Sequence, residues 1–373
     1  MRNLLVEIHR WAGFIIGLAF TFIMITGVVV AIWEQLESRT HFGGTLQPAT
    51  PAEIGRDLDQ LIGTGPEGLR GTLFLPNSIT PVYEMSVLND TGTPGTVKHY
   101  YSQDLELLGT SHSGQRHPIL DAMIDWHVSL VDGQRFTPYI GIIATVIALI
   151  ALYIWWPFRR GFDWKIVFWP KNFKASNLLM NHATGGIISI AFLLLLCITG
   201  AFIGLRTPVT NWAESVETPE QITAYEIPLV ERVEQPWQSW EVLVENAYAA
   251  MPEGAELATI AAERVSAVVD FRFRGVEDIS LYGGSHVYMN PYSGEAEHTY
   301  LTNEGSGVRW LLGQSRSLHT GEHMSLTYLL VLLLGSVIVT VIAFTGCVAF
   351  TRRLLRDSAA KKAAAGLDAA KTV

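Results

Sequence analysis

The chain of 373 residues has only two cysteines and no Cys-x-x-Cys-His sequence. Two cysteines cannot build a disulfide framework, and the missing motif excludes covalent attachment of a c-type haem. Cys197 and Cys347 lie in two long apolar stretches, where we expect them to be small packing residues and not a disulfide pair. The sequence also has no glycine-rich dinucleotide fingerprint, which excludes a built-in nicotinamide or flavin domain.

Charge is also scarce. Only 16% of the residues are charged, whereas 49% are hydrophobic, which is too apolar for an ordinary soluble enzyme. The formal net charge of −9 argues against nucleic acid as a partner. Four stretches have no charged residue in their interior and are long enough to cross a lipid bilayer. They run roughly over residues 11–32, 139–156, 185–205 and 326–350.

Basic residues are frequent in one connection between the apolar stretches and in the C-terminal segment. The 158–181 connection holds five of them against a single acid, and the C-terminal segment 351–373 holds six. The two long connections, in contrast, contain more acids than bases. The positive-inside rule therefore places both termini and the 158–181 connection in the cytoplasm. We expect a multi-pass protein of the bacterial inner membrane, with both long connections in the periplasm.

The predicted segments follow from these spans. They are a first transmembrane helix (1–33), a first periplasmic module (34–137), a second transmembrane helix (138–157), a cytoplasmic loop (158–181), a third transmembrane helix (182–206), a second periplasmic module (207–324), a fourth transmembrane helix (325–350) and a cytoplasmic tail (351–373).

Two of the spans begin in the same way. His9 is followed by an apolar run to Thr26-Gly27 and His182 by another to Thr199-Gly200, with seventeen residues from each His to its Thr. A planar cofactor held from both faces explains a histidine at the same depth of two membrane helices, because haem iron takes one imidazole on each face. Gly27 and Gly200 are expected either to allow close helix contact or to face a haem edge. The pattern predicts a membrane protein that carries haem.

Two further histidines precede the remaining spans. His127 and His319 each end a short amphipathic stretch on the periplasmic side, whereas His9 and His182 lie on the cytoplasmic side. We predict two haem b groups, one held by His9 and His182 and the other by His127 and His319. Because His323 lies four residues further along the same possible helix, it is the alternative to His319. Two bis-imidazole sites near opposite faces suit electron transfer.

Two arginines lie close to the predicted ligands. Arg10 follows His9 directly, and Arg316 lies three residues before His319. Haem propionates take charged or hydrogen-bonding partners, so either arginine is a candidate for that role. The alternative for each is an interfacial arginine without a cofactor contact.

The long connections show strand, turn and helix patterns. Alternating apolar and polar residues interrupted by turn sequences occur in 82–109 and again in 285–296, and helix-like spacing occurs near 52–62 and 240–251. Each connection thus reads as a small α+β module. The fold class is a four-span α-helical membrane protein with two such periplasmic modules and an internal two-fold repeat.

Several short sequences resemble those of the PepSY-associated transmembrane family. They are Asn-Pro-Tyr-Ser-Gly-Glu at 290–295, His-Arg-Trp-Ala-Gly at 9–13, Tyr-Ile-Trp-Trp-Pro at 153–157 and Leu-His-Thr-Gly-Glu at 318–322. The resemblance covers nearly the whole chain and implies PepSY-like modules, although residues 101–104 depart from the pattern. Members include inner-membrane reductases for ferric siderophores, some with two haems, and the resemblance implies that activity here.

Three functions are consistent with the sequence. The first is a transmembrane reductase that passes electrons through two haem b groups to a periplasmic ferric siderophore. The second is a quinol-oxidising b-type cytochrome subunit with a periplasmic protein partner. The third is a non-enzymatic PepSY protein that binds or regulates another envelope protein, which leaves the membrane histidines unexplained. Since the cytoplasmic loops are short, the donor is expected to be a membrane quinol, a reduced flavin or a separate reductase.

Overall fold

The computed structural model divides the chain into two compact units. The membrane unit comprises residues 1–32, 122–204 and 327–373, and the sheet unit comprises residues 33–121 and 205–326. The residues that the structure describes are 1–41, 45–65, 69, 71–78, 80–88, 96–112, 118–131, 134–156, 175–263, 265–275, 278–279, 281–322 and 324–371.

The elements alternate between long apolar helices and groups of strands. In chain order they are α1 (Arg2–His41), α2 (Pro51–Ile62), β1 (Gly71–Phe74), β2 (Tyr83–Leu88), β3 (Thr96–Tyr101), β4 (Leu107–His112), α3 (Pro118–Val128), β5 (Leu130–Val131), β6 (Gln134–Arg135), α4 (Thr137–Trp155), α5 (Ala175–Gly204), α6 (Arg206–Val216), α7 (Pro219–Thr223), α8 (Trp240–Ala249), β7 (Glu256–Ala262), β8 (Val269–Arg274), β9 (Ser285–Met289), β10 (Ala296–Tyr300), α9 (Gly307–Thr320) and α10 (Leu326–Lys371).

Helices α1, α4, α5 and α10 each contain a segment that is long and apolar enough to cross a membrane. These segments are Arg2–Trp33, Thr137–Trp155, Leu178–Gly204 and Leu326–Ala365. Large apolar side chains such as Ile15 and Leu334 are exposed on them, whereas hydroxyl side chains such as Thr26 and Thr199 are buried. Apolar groups outside and polar groups inside suit a lipid environment. The chain is therefore a multi-pass membrane protein.

Three helices extend well beyond the predicted spans, and the first of them, α1, continues to His41 instead of ending at residue 33. Helix α10 continues to Lys371, although the fourth span was predicted to end at residue 350. The additional part is rich in alanine and lysine, which favour helix whether or not the segment is in a membrane. Helix α5 begins at Ala175, seven residues before the predicted start of the third span. Hydrophobicity marks the membrane part of a helix and not its full length.

The sheet unit contains one antiparallel sheet of eight strands, in the order β10-β9-β8-β7-β1-β2-β3-β4. The strands predicted in each long connection are confirmed, as is the turn between β9 and β10, whereas the turn predicted near residue 90 lies outside the described residues. That the strands of both connections form one sheet was not predicted. Strands β1 and β7 pair antiparallel, with Leu73 opposite Ile260, and so join the two groups of four strands. The pairing satisfies backbone groups that two separate sheets would leave on open edges.

Two helices, α2 and α8, pack together in the core of this unit. Trp240 is buried, its backbone N–H donates to Asp59 Oδ1 at 3.1 Å, and its indole N–H donates to the Gly63 carbonyl at 2.8 Å. A Cβ on Gly55 would lie 2.3 Å from the Glu241 Cα, so only glycine permits this helix approach. The helices were predicted from their spacing, and their contact gives the sheet unit a shared core with Leu73 and other buried apolar residues.

Candidate functional site

Two of the predicted ligands lie side by side in the membrane unit. The ring centres of His9 on α1 and His182 on α5 are 6.1 Å apart, and the ring planes are inclined at 48°. Two imidazoles that bind opposite faces of one metal ion at about 2 Å have ring centres roughly 6 Å apart. The separation of His9 and His182 therefore matches a bis-imidazole site.

The Nδ1 atom of three predicted ligands points to a main-chain carbonyl of another helix. For His182 the acceptor is the Ile342 carbonyl on α10, and for His127 it is the Ile23 carbonyl on α1, each at 2.9 Å. His9 makes a longer contact of 3.4 Å with the Ile147 carbonyl on α4. A carbonyl only accepts, so Nδ1 must be the protonated nitrogen and Nε2 keeps its lone pair. This is the arrangement by which proteins orient a histidine that binds metal through Nε2.

Two glycines make room for the imidazole rings of His127 and His182, which form the two shorter hydrogen bonds. A Cβ on Gly27 would lie 2.6 Å from His127 Cε1, and a Cβ on Gly346 would lie 2.6 Å from His182 Cε1. Each glycine follows its acceptor carbonyl by four residues, so it lies one turn further along the same face of the helix. Gly27 therefore lies against the His127 imidazole. The sequence alone had offered two roles for this glycine, a helix contact or a contact with a haem edge.

The same five-residue pattern surrounds both contacts. Ile23 to Gly27 and Ile342 to Gly346 both read Ile-x-x-Thr-Gly, and residues 196–200 read Leu-x-x-Thr-Gly. Gly346 was not among the sequence predictions, although the Thr345-Gly346 pair repeats the Thr-Gly pairs of α1 and α5. The recurrence of that pair in three of the four spans was the signal that could have identified it.

The surroundings of these histidines favour the neutral imidazole, the form that binds metal. Burial lowers the pKa of His127, and the hydrogen bond to the Ile23 carbonyl only partly opposes the effect. Buried polar atoms also accompany His182 on α5. Asn181 Oδ1 and Thr184 Oγ1 have no hydrogen-bond partner among the described residues. Such atoms are rare in proteins and are often satisfied by a bound water, ion or ligand. The Thr184 hydroxyl can donate to a haem propionate, whereas Asn181 Oδ1 accepts and needs a separate donor.

The two arginines each have a carboxylate partner. Arg10 forms an ion pair with Glu7 on α1, and Arg316 Nε lies 2.5 Å from Glu322 Oε2. The Arg316 side chain remains largely exposed. Contact of either arginine with haem propionates stays a prediction.

The predicted ligand His319 lies in the last turn of α9, in the sheet unit, and is half-buried. Its pairing with His127 stays a prediction. The alternative ligand, His323, lies outside the described residues. His319 therefore stays the predicted ligand, with His323 as its alternative.

The sheet unit holds two histidines in a different setting. His286 Nδ1 lies 2.9 Å from Asp270 Oδ1, and Arg272 Nε donates to Asp270 Oδ2 at 2.8 Å. Burial acts to raise the pKa of Asp270, but His286 and Arg272 outweigh it and hold the pKa below its usual range. His298 Nε2 donates to the Ala224 carbonyl at 2.8 Å, and its ring stacks on Tyr288. These groups form a charged and aromatic layer on the sheet.

A second ion pair stabilises the sheet unit near α9. Arg309 makes two bonds to the Glu217 carboxylate, with Nη2 at 2.5 Å from Oε2 and Nε at 2.9 Å from Oε1. Ser306, at the start of α9, donates its hydroxyl to the same carboxylate at 2.8 Å. Arg309 and then Ser306 hold the pKa of Glu217 at about 2, although burial opposes them. The pair fixes the end of α6 to the start of α9.

Four membrane-spanning helices, two of which carry the neighbouring His9 and His182, together with a unit built on one antiparallel sheet, define the class of this protein as a multi-pass membrane protein. The family model of the PepSY-associated TM region matches residues 6–353, so the chain belongs to that family. No curated protein matches the chain closely enough to add a characterised relative.

Proposed function

We propose that this protein is a transmembrane b-type cytochrome that reduces Fe(III) in a periplasmic siderophore. The observation that carries the proposal is the shared setting of His127 and His182. Each ring donates from Nδ1 to a carbonyl at 2.9 Å and lies against a glycine, which leaves Nε2 as the metal-binding nitrogen. Haem bound between two imidazoles supplies one-electron transfer and has no open position for O₂.

The ligand sets follow from the positions of the histidines. In this proposal His9 and His182 hold one haem b, and His127 holds the second together with His319, or with His323 in its place. The 6.1 Å ring separation supports the first pair. The second pair rests on the sequence. We further propose that the first pair lies toward the cytoplasm and the second toward the periplasm, with both termini cytoplasmic.

The proposed substrate follows from the chemistry of iron. Fe(III) is a hard ion that oxygen ligands of siderophores hold tightly, whereas Fe(II) is held less well, so a single electron releases the metal. The electron comes from a membrane quinol, a reduced flavin or a separate reductase, since no dinucleotide fingerprint occurs in the chain. An internal two-fold repeat is part of this proposal, because each long connection contains a helix, four strands and a helix with a histidine near its end, in that order. The first connection adds β5 and β6, and the second adds α6 and α7.

Sealed vesicles test this function. Reductant is supplied on the face that carries the termini, and a ferric chelate is supplied only on the other face. We expect wild-type protein to reduce the chelate, and we expect His127→Ala to slow this reduction at least tenfold while the first haem still becomes reduced. His99→Ala is the control, because His99 lies on the sheet and bonds to Thr110. Equal rates for His127→Ala and wild type would reject the transmembrane reductase in favour of a cytochrome with a protein acceptor.

A further inference from the structure

The main-chain carbonyls that accept hydrogen bonds from His127 and His182 each accept a second hydrogen bond from a threonine hydroxyl. Thr26 Oγ1 donates to the Ile23 carbonyl at 2.8 Å, and that carbonyl also accepts from His127 Nδ1 at 2.9 Å. Thr345 Oγ1 donates to the Ile342 carbonyl at 3.0 Å, and that carbonyl also accepts from His182 Nδ1 at 2.9 Å. The two arrangements come from different helices, and the corresponding distances agree within 0.2 Å. Thr26 Oγ1 also lies 3.2 Å from the Phe22 carbonyl, its weaker contact.

The carbonyl oxygen in each arrangement is crowded. A carbonyl has two lone pairs, and in a helix one of them already accepts the N–H of the residue four positions later. The imidazole and the threonine hydroxyl therefore compete for the remaining acceptor capacity. Competition weakens the Nδ1–H bond, so the ring transfers less electron density to its Nε2.

The third histidine offers a contrast within the same unit. The carbonyl that faces His9 belongs to Ile147, and the residue three positions later is Ile150, which has no hydroxyl. The two histidines of the first pair thus differ, since His182 shares its acceptor with a threonine and His9 does not. Of these three acceptor carbonyls, those of Ile23 and Ile342, which form the 2.9 Å bonds, also accept a hydrogen bond from a threonine.

We propose that Thr26 and Thr345 are positioning residues that set the reduction potentials of the two haem sites by sharing the carbonyl acceptors of His127 and His182. The inference rests on the proposed function, because it requires haem. Hydrogen bonding to a ligand histidine raises its basicity and is one of the means by which a protein tunes haem potential. A weaker Nδ1–H bond favours Fe(II), so both threonines raise the potential of their site.

Redox titration of the purified full-length protein, followed by absorbance and by electron paramagnetic resonance, tests this inference. The variants are Thr26→Val and Thr345→Val, which keep the shape of the side chain and remove the hydroxyl. We expect each to lower the potential of one haem only, and we expect the two variants to affect different haems. A change of about 1 kcal/mol in one hydrogen bond corresponds to about a fivefold lower ratio of reduced to oxidised haem at a fixed ambient potential.

The chain offers a matched control. Thr21 is on α1 as well, and its hydroxyl donates to the Gly17 carbonyl at 2.6 Å, which faces no ligand histidine. Thr21→Val should leave both potentials unchanged, whereas Thr26→Ser and Thr345→Ser should restore the wild-type values because serine keeps the hydroxyl. Thr26→Ala and Thr345→Ala replace the valine variants if those do not accumulate.

The results separate the two proposals. Two bound haems with unchanged potentials in both valine variants would overturn the role of the threonines and leave the proposed function standing. A similar shift in Thr21→Val would also overturn it, because the effect would then be general to threonine loss. Wild-type protein that binds no haem would reject the proposed function and this inference with it.

Discussion

In the membrane unit, His127 and His182 donate to main-chain carbonyls, whereas in the sheet unit His286 faces the carboxylate of Asp270. The first arrangement is neutral and suits a bilayer, where a buried charge is costly. The second arrangement joins a carboxylate, an arginine and an imidazole in one charged network. The same residue type thus serves as a candidate metal ligand in one unit and as part of a structural network in the other.

The loss of a membrane histidine is expected to have the largest effect. His182→Ala removes one of two rings that lie 6.1 Å apart, so the purified protein should contain one haem per chain instead of two. Haem is measured by extraction and absorbance against protein concentration. His286→Ala in the sheet unit should retain both haems. If His286→Ala loses a haem and His182→Ala does not, the two roles have been assigned to the wrong units.

Filling the space beside a ring is expected to have the next largest effect. Gly346→Ala places a Cβ 2.6 Å from His182 Cε1, which forces the ring away from its carbonyl. We expect reduced haem content or a high-spin absorption band, because the displaced ring binds iron poorly. Gly13→Ala is the matched control on α1, since its Cβ would meet Ile147 at an ordinary 3.9 Å. The same spectrum for both variants would show that the glycine does not position the ligand.

The third Thr-Gly pair, in the Leu-x-x-Thr-Gly sequence at 196–200, extends this test. Thr199 on α5 donates to the Leu195 carbonyl at 2.6 Å and lies 3.5 Å from the Leu196 carbonyl, so it favours the carbonyl four residues back, whereas Thr26 and Thr345 bond most closely to the carbonyl three residues back. We predict that Gly200→Val also lowers the haem content, to one haem per chain. Absorbance of the purified variant measures this. Retention of two haems would limit the pattern to α1 and α10.

Disruption of the charged layer should affect stability and not haem. Asp270→Ala leaves Arg272 and His286 without their buried carboxylate, and the loss of one partner of a buried ion pair costs about 3 kcal/mol. We expect the sheet unit to unfold at a lower denaturant concentration while the haem content remains at two. Circular dichroism during urea unfolding measures the first effect, and haem absorbance measures the second. Loss of haem without a loss of stability would contradict the contrast between the units.

Acid should weaken the sheet unit through a defined ion pair. The folded pKa of Glu217 is about 2, below its usual value of 4.5, so its contribution to stability is complete above pH 4.5 and is lost as the pH falls toward 2. Glu217→Gln should be less stable at neutral pH and should show a smaller loss of stability below pH 4.5. Unfolding curves at several pH values test this. An unchanged acid dependence in Glu217→Gln would assign the effect to other carboxylates.

Local patterns were sufficient for most of the elements. The strands around 82–109 and 285–296 were predicted because apolar and polar residues alternate there, and α2 and α8 because their apolar spacing follows a helical turn. The two cysteines are free and buried, as predicted. The join between β1 and β7 was not predicted, because both strands lie in polar-flanked segments that give no information about which partner each takes.

By itself the sequence determined the four apolar spans, the residue types available to bind a cofactor and most of the helices and strands, since these depend on neighbours within a few turns. Only the tertiary structure decided which carbonyl each ring faces. The Ile23 carbonyl lies 104 residues from His127, and the Ile342 carbonyl lies 160 residues from His182. Such contacts depend on how helices pack against one another, and packing is set by side-chain shape along whole helix faces and not by local pattern.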